Sequence, residues 1–305
     1  MDVVYFTTSM NTVFKYTISP FNECSYKCEH ASQEDIIQLR RYLDQRFGNW
    51  CYTERGRSAI DLALSHYSLN PDDVVTIFTT SGNFYISSCV TNEIEKHCRW
   101  SREIEPKTKL IFVNNEFGYP YNEVEKLKEY GLPIIEDCAY NFFTQDNKGL
   151  MGKVGDFAIF SLSKAFSVSF GGILVANNME SELGQPLKEN LMSELEQHIA
   201  VQIKNIESIK AARLRNYDRF FNKMRCFHIE PFFHLASGVV PGVILFKWKD
   251  SIDYPSLKSY LQNLGVESTV FYGKSAFYLP IHQNLKDEDI DYICEMIIRF
   301  QKKER

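Results

Sequence analysis

The chain has 305 residues, 44% of them apolar, and a formal net charge of −5. That length suffices for one large α/β domain plus a small second one. The acidic balance gives no electrostatic reason to expect a nucleic-acid partner, and no uncharged apolar run is long enough to span a membrane.

The middle of the chain alternates helical and strand patterns, which predicts a largely parallel sheet covered by helices. Residues 58–67 (SAIDLALSHY) follow Gly56 with helical apolar spacing. Asp73 to Thr79 reads as a strand, and Tyr85 to Cys98 as a helix with Ile86, Cys89, Val90 and Ile94 on one side. Leu110 to Val113 is a short apolar strand, and Asn122 to Tyr130 a helix stopped by Gly131. The next strand, Leu132 to Ile135, delivers Glu136 and Asp137 at its end. Phe157 to Phe160 is another, with Ser161 to Lys164 just beyond it, and Gly171-Gly172 precedes the strand Ile173 to Ala176. Polar groups thus gather after strand ends, where open α/β sheets bind ligands.

Leu191, Leu195, Ile199, Ile203 and Ile206 then recur at the spacing of a packed helical face. From about Arg213 the character changes. Val239 to Trp248 reads as a strand interrupted by Pro241 and Gly242, Leu257 to Leu264 as a helix ended by Gly265, and Asp287 to Phe300 as an amphipathic surface helix. The expected organisation is a large domain over residues 1–190, then a linking helix and small α+β domain over 191–305.

The opening residues, Met1 to Tyr5, lack a basic region before a hydrophobic one, so no secretory signal is expected. The 8 cysteines are scattered, as suits a reducing compartment. A cytoplasmic location follows as an expectation. Cys24, Cys28 and His30 form the one local cluster, without a second ligand pair at zinc-site spacing, so no metal is expected.

Four features appear in an order that suits pyridoxal 5′-phosphate. Gly56-Arg57-Ser58 opens a helix whose first amides could cup a phosphate. Phe84 could lie over a flat ring. Asp137 at a strand end could pair with a pyridine nitrogen, and Lys164 could bond to an aldehyde carbon. Singly, each also has an ordinary reading: a turn glycine, a core aromatic, a helix cap, a solvated lysine.

Jointly, the pattern resembles the DegT/DnrJ/StrS-type sugar aminotransferase family. The residues that carry the resemblance are Gly56-Arg57-Ser58-Ala59-Ile60, Asn115 to Pro120, Ile135-Glu136-Asp137-Cys138-Ala139, Gly155 to Ser161, and Lys164 with Gly171-Gly172. Leu279-Pro280-Ile281-His282 also looks like the family's motif before its last helix. The resemblance implies a fold-type I aminotransferase-like large domain with a mostly parallel sheet between helices, and a homodimer with sites at the subunit interface. It implies amino transfer, usually from glutamate, to a keto sugar on a nucleotide, as in surface polysaccharide or related glycan biosynthesis. Lys164 and Asp137 then take the catalytic roles. Arg57, Ser58 and Ser161 surround the cofactor phosphate, Phe84 stacks on the ring, and Tyr140 stands where the family often has His or Gln.

Three departures are plain: a short Ser161–Lys164 loop, Arg57 at a position where threonine is common, and a short region after Gly172 with no counterpart of the family's partner-supplied asparagine. The short lysine loop and the short region after Gly172 motivate the alternative of a non-catalytic homologue with a binding or regulatory role. A related sugar dehydratase is the other alternative, against which Lys164 stands, because such dehydratases carry histidine there. Glu116 reads as a cap or as a group near substrate. His282 reads as structural or as a substrate contact. Arg213, Arg215 and Arg219 read as a diphosphate site or as a solvated helix face.

Overall fold

The computed structural model describes residues 14–21, 31–178 and 183–304; Cys24, Cys28 and His30 lie outside them. The first described helix, α1 (Gln33–Phe47), starts at a capping box. The Ser32 hydroxyl accepts the Asp35 N–H, and the Asp35 carboxylate accepts the Ser32 N–H. Ile36, Leu39 and Leu43 bury one face of α1 against the sheet.

Seven strands form that sheet: β1 (Trp50–Thr53), β2 (Val74–Thr79), β3 (Arg99–Ser101), β4 (Thr108–Asn114), β5 (Ile134–Asp137), β6 (Phe157–Ser161) and β7 (Gly172–Ala176). Their order is β1-β7-β6-β5-β4-β2-β3. Neighbours from β6 through β3 run parallel, and β7 runs antiparallel to both β6 and β1. The central strands are largely apolar because both faces are covered, whereas the edge strand β3 is partly exposed. In β6, Phe157 and Ile159 enter the core under α2 (Gly56–Ser65) and α3 (Ser88–Ile94), while Ala158 and Phe160 enter the core under α1. This is the mostly parallel, helix-covered sheet that the sequence predicts.

After β6 comes a single helical turn, α4 (Leu162–Ala165). The antiparallel return of β7 depends on Gly172. A Cβ there would stand 2.6 Å from both the Arg55 carbonyl carbon and the Thr53 hydroxyl, so only glycine lets β1 and its turn pass this close.

The helical stretch after β7 breaks at Lys204–Asn205 into α5 (Glu189–Ile203) and α6 (Ile206–Met224). An antiparallel sheet follows, from β8 (Ile229–Pro231), β9 (Ile244–Trp248), β10 (Thr269–Phe271) and β11 (Ala276–Leu279), in the order β10-β11-β9-β8. Together with α6, α7 (Tyr254–Asn263) and α8 (Asp287–Glu304) it encloses a core around Phe220, Phe246, Leu257, Phe277 and Ile293. Tyr16 belongs to this core and bridges Val266, so the N-terminal segment packs on the C-terminal sheet.

Some element boundaries differ from the sequence expectation. The helix expected over 85–98 is only Ser88–Ile94, because Ser87 is extended and caps it by accepting the Cys89 N–H. Pro241 and Gly242 stay outside the strand, which starts at Ile244. Val124–Tyr130 is a 3-10 helix, ended as expected by Gly131 in the left-handed conformation. No described helix is long and apolar enough to cross a membrane.

Candidate active site

Parallel strands end at a common edge. The register sets Asn114 of β4 opposite Asp137 of β5, and Asp137 opposite Ile159 of β6. Two residues beyond Ile159 the chain reaches Ser161 and turns into α4, which brings Lys164 back over the edge. The result is a cavity of about 510 Å³, walled on this side by Asp137, Ser161 and Lys164. The first turn of α2 contributes Gly56 and Arg57. No side chain of its N-cap residue, Arg55, hydrogen-bonds to the first-turn amides. Gly56 lies against Ser161, whose hydroxyl is 3.3 Å from that of Ser163.

Asp137 is buried, and its Oδ1 accepts the Ala139 N–H at 3.0 Å. Burial raises its pKa, opposed by the positive charge of Lys164. Burial lowers the pKa of Lys164, opposed by Asp137. Lys164 Nζ lies 3.9 Å from the centre of the Tyr140 ring. Tyr140 in turn rests on Gly242, where a Cβ would come within 2.3 Å of its Cδ1. The backbone of Phe117 is left-handed (φ 56°, ψ 24°), rare for a bulky residue. It is held by the Gly242 N–H, which donates to the Phe117 carbonyl at 2.7 Å. The Phe117 ring packs 4.8 Å from that of Tyr278.

Arg57, Asp137, Tyr140, Ser161 and Lys164 therefore meet at one cavity. Ser58 and Phe84 are not among its wall residues. Ser58 is exposed on the first turn of α2. Phe84 is 75% exposed, and the next residue, Tyr85, lines the cavity instead. The aromatic that faces the cavity is thus one position from the expected Phe84. Tyr272 and Tyr278, from the β10–β11 hairpin, complete that wall, with the Tyr85 and Tyr272 rings 5.5 Å apart. Nothing local in the sequence marks these two; their place depends on how the second sheet docks.

Glu116 is both cap and wall. Its carboxylate accepts the Ser81 N–H at 2.6 Å and borders the cavity, with its pKa raised by burial. His282 is structural. It is buried, its Nε2–H donates to the Thr17 carbonyl at 2.9 Å, and burial with the nearby Arg213 charge lowers its pKa to about 4.

The three arginines do not line the cavity, and only Arg215 is exposed on the helix surface. Arg213 is buried and donates to the carbonyls of Lys164 and Ala165. Arg219 pairs with Asp287 and Asp291, and Arg215 with Asp287, which ties α6 to α8. Among the described residues, no group of three or more His, Cys, Asp or Glu is placed to hold a metal ion.

Residues 96–185, which hold Asp137 and Lys164, match the DegT/DnrJ/EryC1/StrS aminotransferase family. GDP-perosamine synthase of Escherichia coli O157:H7 is 27% identical over 181 residues, or 52% of this chain and 49% of that protein. The match thus spans about half the length of this curated relative. Among solved structures, the aminotransferase TlmJ from Streptoalloteichus hindustanus superposes with a TM-score of 0.74 at 14% identity, covering 97% of this chain and 100% of that one. A DegT DnrJ EryC1 StrS aminotransferase from Brucella abortus gives 0.68 at 15% identity, covering 91% and 92%. The Escherichia coli GDP-4-keto-6-deoxy-D-mannose-3-dehydratase with bound hydrated PLP gives 0.67 at 14% identity, covering 93% and 99%. At these identities the structures speak for the fold and not for the reaction. The chain has the fold-type I aminotransferase fold, and its segment 96–185 bears the sequence pattern of the DegT/DnrJ/EryC1/StrS family.

Proposed function

We propose that the chain is a pyridoxal 5′-phosphate-dependent aminotransferase. Its acceptor is a keto sugar carried on a nucleotide, its donor glutamate, and its pathway the synthesis of a surface polysaccharide or related glycan. In this reading it works in the cytoplasm as a homodimer. The observation that carries the reading is the meeting of Lys164 and Asp137 in one cavity, each pushed by burial toward its neutral form and each opposed by the other's charge.

The cavity suits the cofactor on three further counts. Its volume of about 510 Å³ is that of a small-molecule site. The first turn of α2, without a side-chain cap, offers amide donors to an anion beside Arg57 and Ser161. A buried carboxylate, Asp137, stands where it can accept a hydrogen bond from a protonated ring nitrogen. When bound, the cofactor supplies an electron sink for the carbon that loses a proton.

Lys164 Nζ would bond to the cofactor aldehyde and, once released, carry the proton between the reacting carbons. Burial lowers its pKa, the direction that favours the free amine a base requires. Asp137 would keep the ring nitrogen protonated. Arg57, Ser161 and the α2 amides would hold the phosphate, with Ser58 left outside the cavity wall. Tyr85 and Tyr140 would bound the ring, Tyr85 in the role the sequence assigned to Phe84. Lys164 favours transfer over dehydration, and the name of the relative GDP-perosamine synthase supports a nucleotide-linked sugar.

The test is to purify the protein with pyridoxal phosphate, record the visible spectrum, reduce with borohydride and map the modified peptide. The expected result is a pyridoxyl group on Lys164 and a spectrum that glutamate shifts to the amine form of the cofactor. A protein with no visible band and no modified lysine would put the non-catalytic homologue in its place.

A further inference from the structure

A helix leaves its last carbonyls without intrahelical partners, and a one-turn helix has almost nothing else. In α4, only the Leu162 carbonyl is used locally, by the Phe166 N–H at 2.8 Å. The next three are taken by side chains from far along the chain. The Ser19 hydroxyl donates to the Ser163 carbonyl at 3.2 Å. Arg213 Nη2 donates to the Lys164 carbonyl at 2.9 Å and to the Ala165 carbonyl at 3.1 Å. Gln283 Nε2 adds a second donor to Ala165, also at 3.1 Å, and its Oε1 accepts from Arg213 Nε at 3.1 Å. Arg213 is 2% exposed and pairs with no described carboxylate, and its guanidinium lies 5.0 Å from the Phe143 ring. A buried charge without a counter-ion is costly. What this one achieves is to fix the peptide that carries Lys164.

We propose that Arg213, braced by Gln283, is a positioning residue for Lys164: from α6 and the Leu279–Leu285 linker they set where the lysine's backbone sits above the strand edge. The claim that this placement serves catalysis rests on the reading of Lys164 as the cofactor lysine. Arg213 is not a wall residue of the cavity; it reaches the site through the Lys164 and Ala165 carbonyls, and its charge is also felt at Tyr140. It also ties the C-terminal unit, which lines the cavity through Tyr272 and Tyr278, to the peptide that carries Lys164.

The experiment compares the full-length protein with Arg213→Met, Arg213→Lys and Gln283→Leu. Methionine keeps the packing on Phe143 without the donors. In protein stripped of cofactor, the pH profile of Lys164 modification by trinitrobenzenesulfonate is followed by peptide mapping. In loaded protein, kcat and KM for the amino donor are separated, together with the pH titration of the visible band. Arg213→Met should displace the labelling profile and the band titration, and lower kcat about a hundredfold with KM little changed, as for a misplacement of about 1 Å. Arg213→Lys should recover part of this. Gln283→Leu, which removes one of the two donors to Ala165 and the acceptor for Arg213 Nε, should cost about fivefold in kcat.

A folded Arg213→Met protein with the wild-type labelling profile and kcat overturns the proposal. If Arg213→Met does not fold, Gln283→Leu decides alone, and a wild-type profile and kcat there overturn it. If the wild-type protein never takes pyridoxal phosphate on Lys164, it is the cofactor reading that fails. The labelling comparison then still decides whether Arg213 positions the lysine.

Discussion

The two long walls of the cavity are built differently. On one side Asp137, Ser161 and Lys164 stand at the ends of adjacent strands, with their backbones locked in the ladder and in α4. On the other, Tyr85 comes from a loop and Tyr272 from a hairpin of the second sheet, 50% and 44% exposed. The first wall is as rigid as the sheet that carries it. The second owes its position to docking between the two sheets, through contacts such as Asn83 Nδ2 donating to the Tyr272 carbonyl at 2.6 Å. The contrast suggests a division of labour, with chemistry on the rigid wall and shape on the adjustable one.

The largest effect should come from the rigid wall. Lys164→Ala is expected to abolish covalent cofactor attachment and reduce turnover by about 10⁴-fold, at the upper end for loss of a general acid–base, in a protein that still folds. Turnover at the wild-type rate would sink the mechanism. Asp137→Asn should cost about a hundredfold in kcat through a poorer electron sink, and should shift the visible spectrum. An unchanged spectrum would remove Asp137 from the cofactor's ring.

Two predictions probe what stands behind the walls. His282 has a folded pKa of about 4, below the usual 6.5. Between these values the unfolded chain binds more protons than the folded one, so stability is whole above pH 6.5 and falls as the pH drops toward 4. The loss is at most about 3 kcal/mol, read as Tm against pH. His282→Gln, which keeps a donor toward Thr17, should flatten that slope. Gly242→Ala would press a methyl group against Tyr140, and should destabilise by about 1–3 kcal/mol in denaturant unfolding. A neutral result would mean that Tyr140 moves freely over Lys164.

The smallest effects sharpen the adjustable wall. Tyr85→Ala should weaken cofactor binding about two- to tenfold, the worth of one aromatic contact. Phe84→Ala, at a side chain 75% exposed, should leave both binding and stability within about 0.5 kcal/mol of wild type. Equal losses from both, by cofactor titration, would mean that the 84–85 segment turns over on binding.

How much of this was legible beforehand follows the same division. Strand ends are marked by where an apolar run stops, so Asp137 could be placed at the end of β5 and Lys164 just beyond β6, on α4. Arg57 and Ser161 could be read for the same reason, each standing at the boundary of an element. Phe84 went astray by a single residue, since an extended loop has no periodicity to say which of two adjacent aromatics faces inward.

The sequence by itself marked the largely parallel sheet and, at or just past its strand ends, Asp137, Ser161 and Lys164, which meet at one cavity. Hydrophobic periodicity and turn residues are local, and parallel strands share an edge. Only the tertiary structure decided which residues close the cavity and which support it. Tyr272 and Tyr278 enter from the second sheet, Tyr16 joins the core of that sheet, and Arg213, which looks like a surface cation in the sequence, is buried beneath the lysine. Contacts between residues tens to hundreds of positions apart leave no periodic trace in the chain, because their energy depends on shape and hydrogen-bond geometry that exist only once both parts have folded.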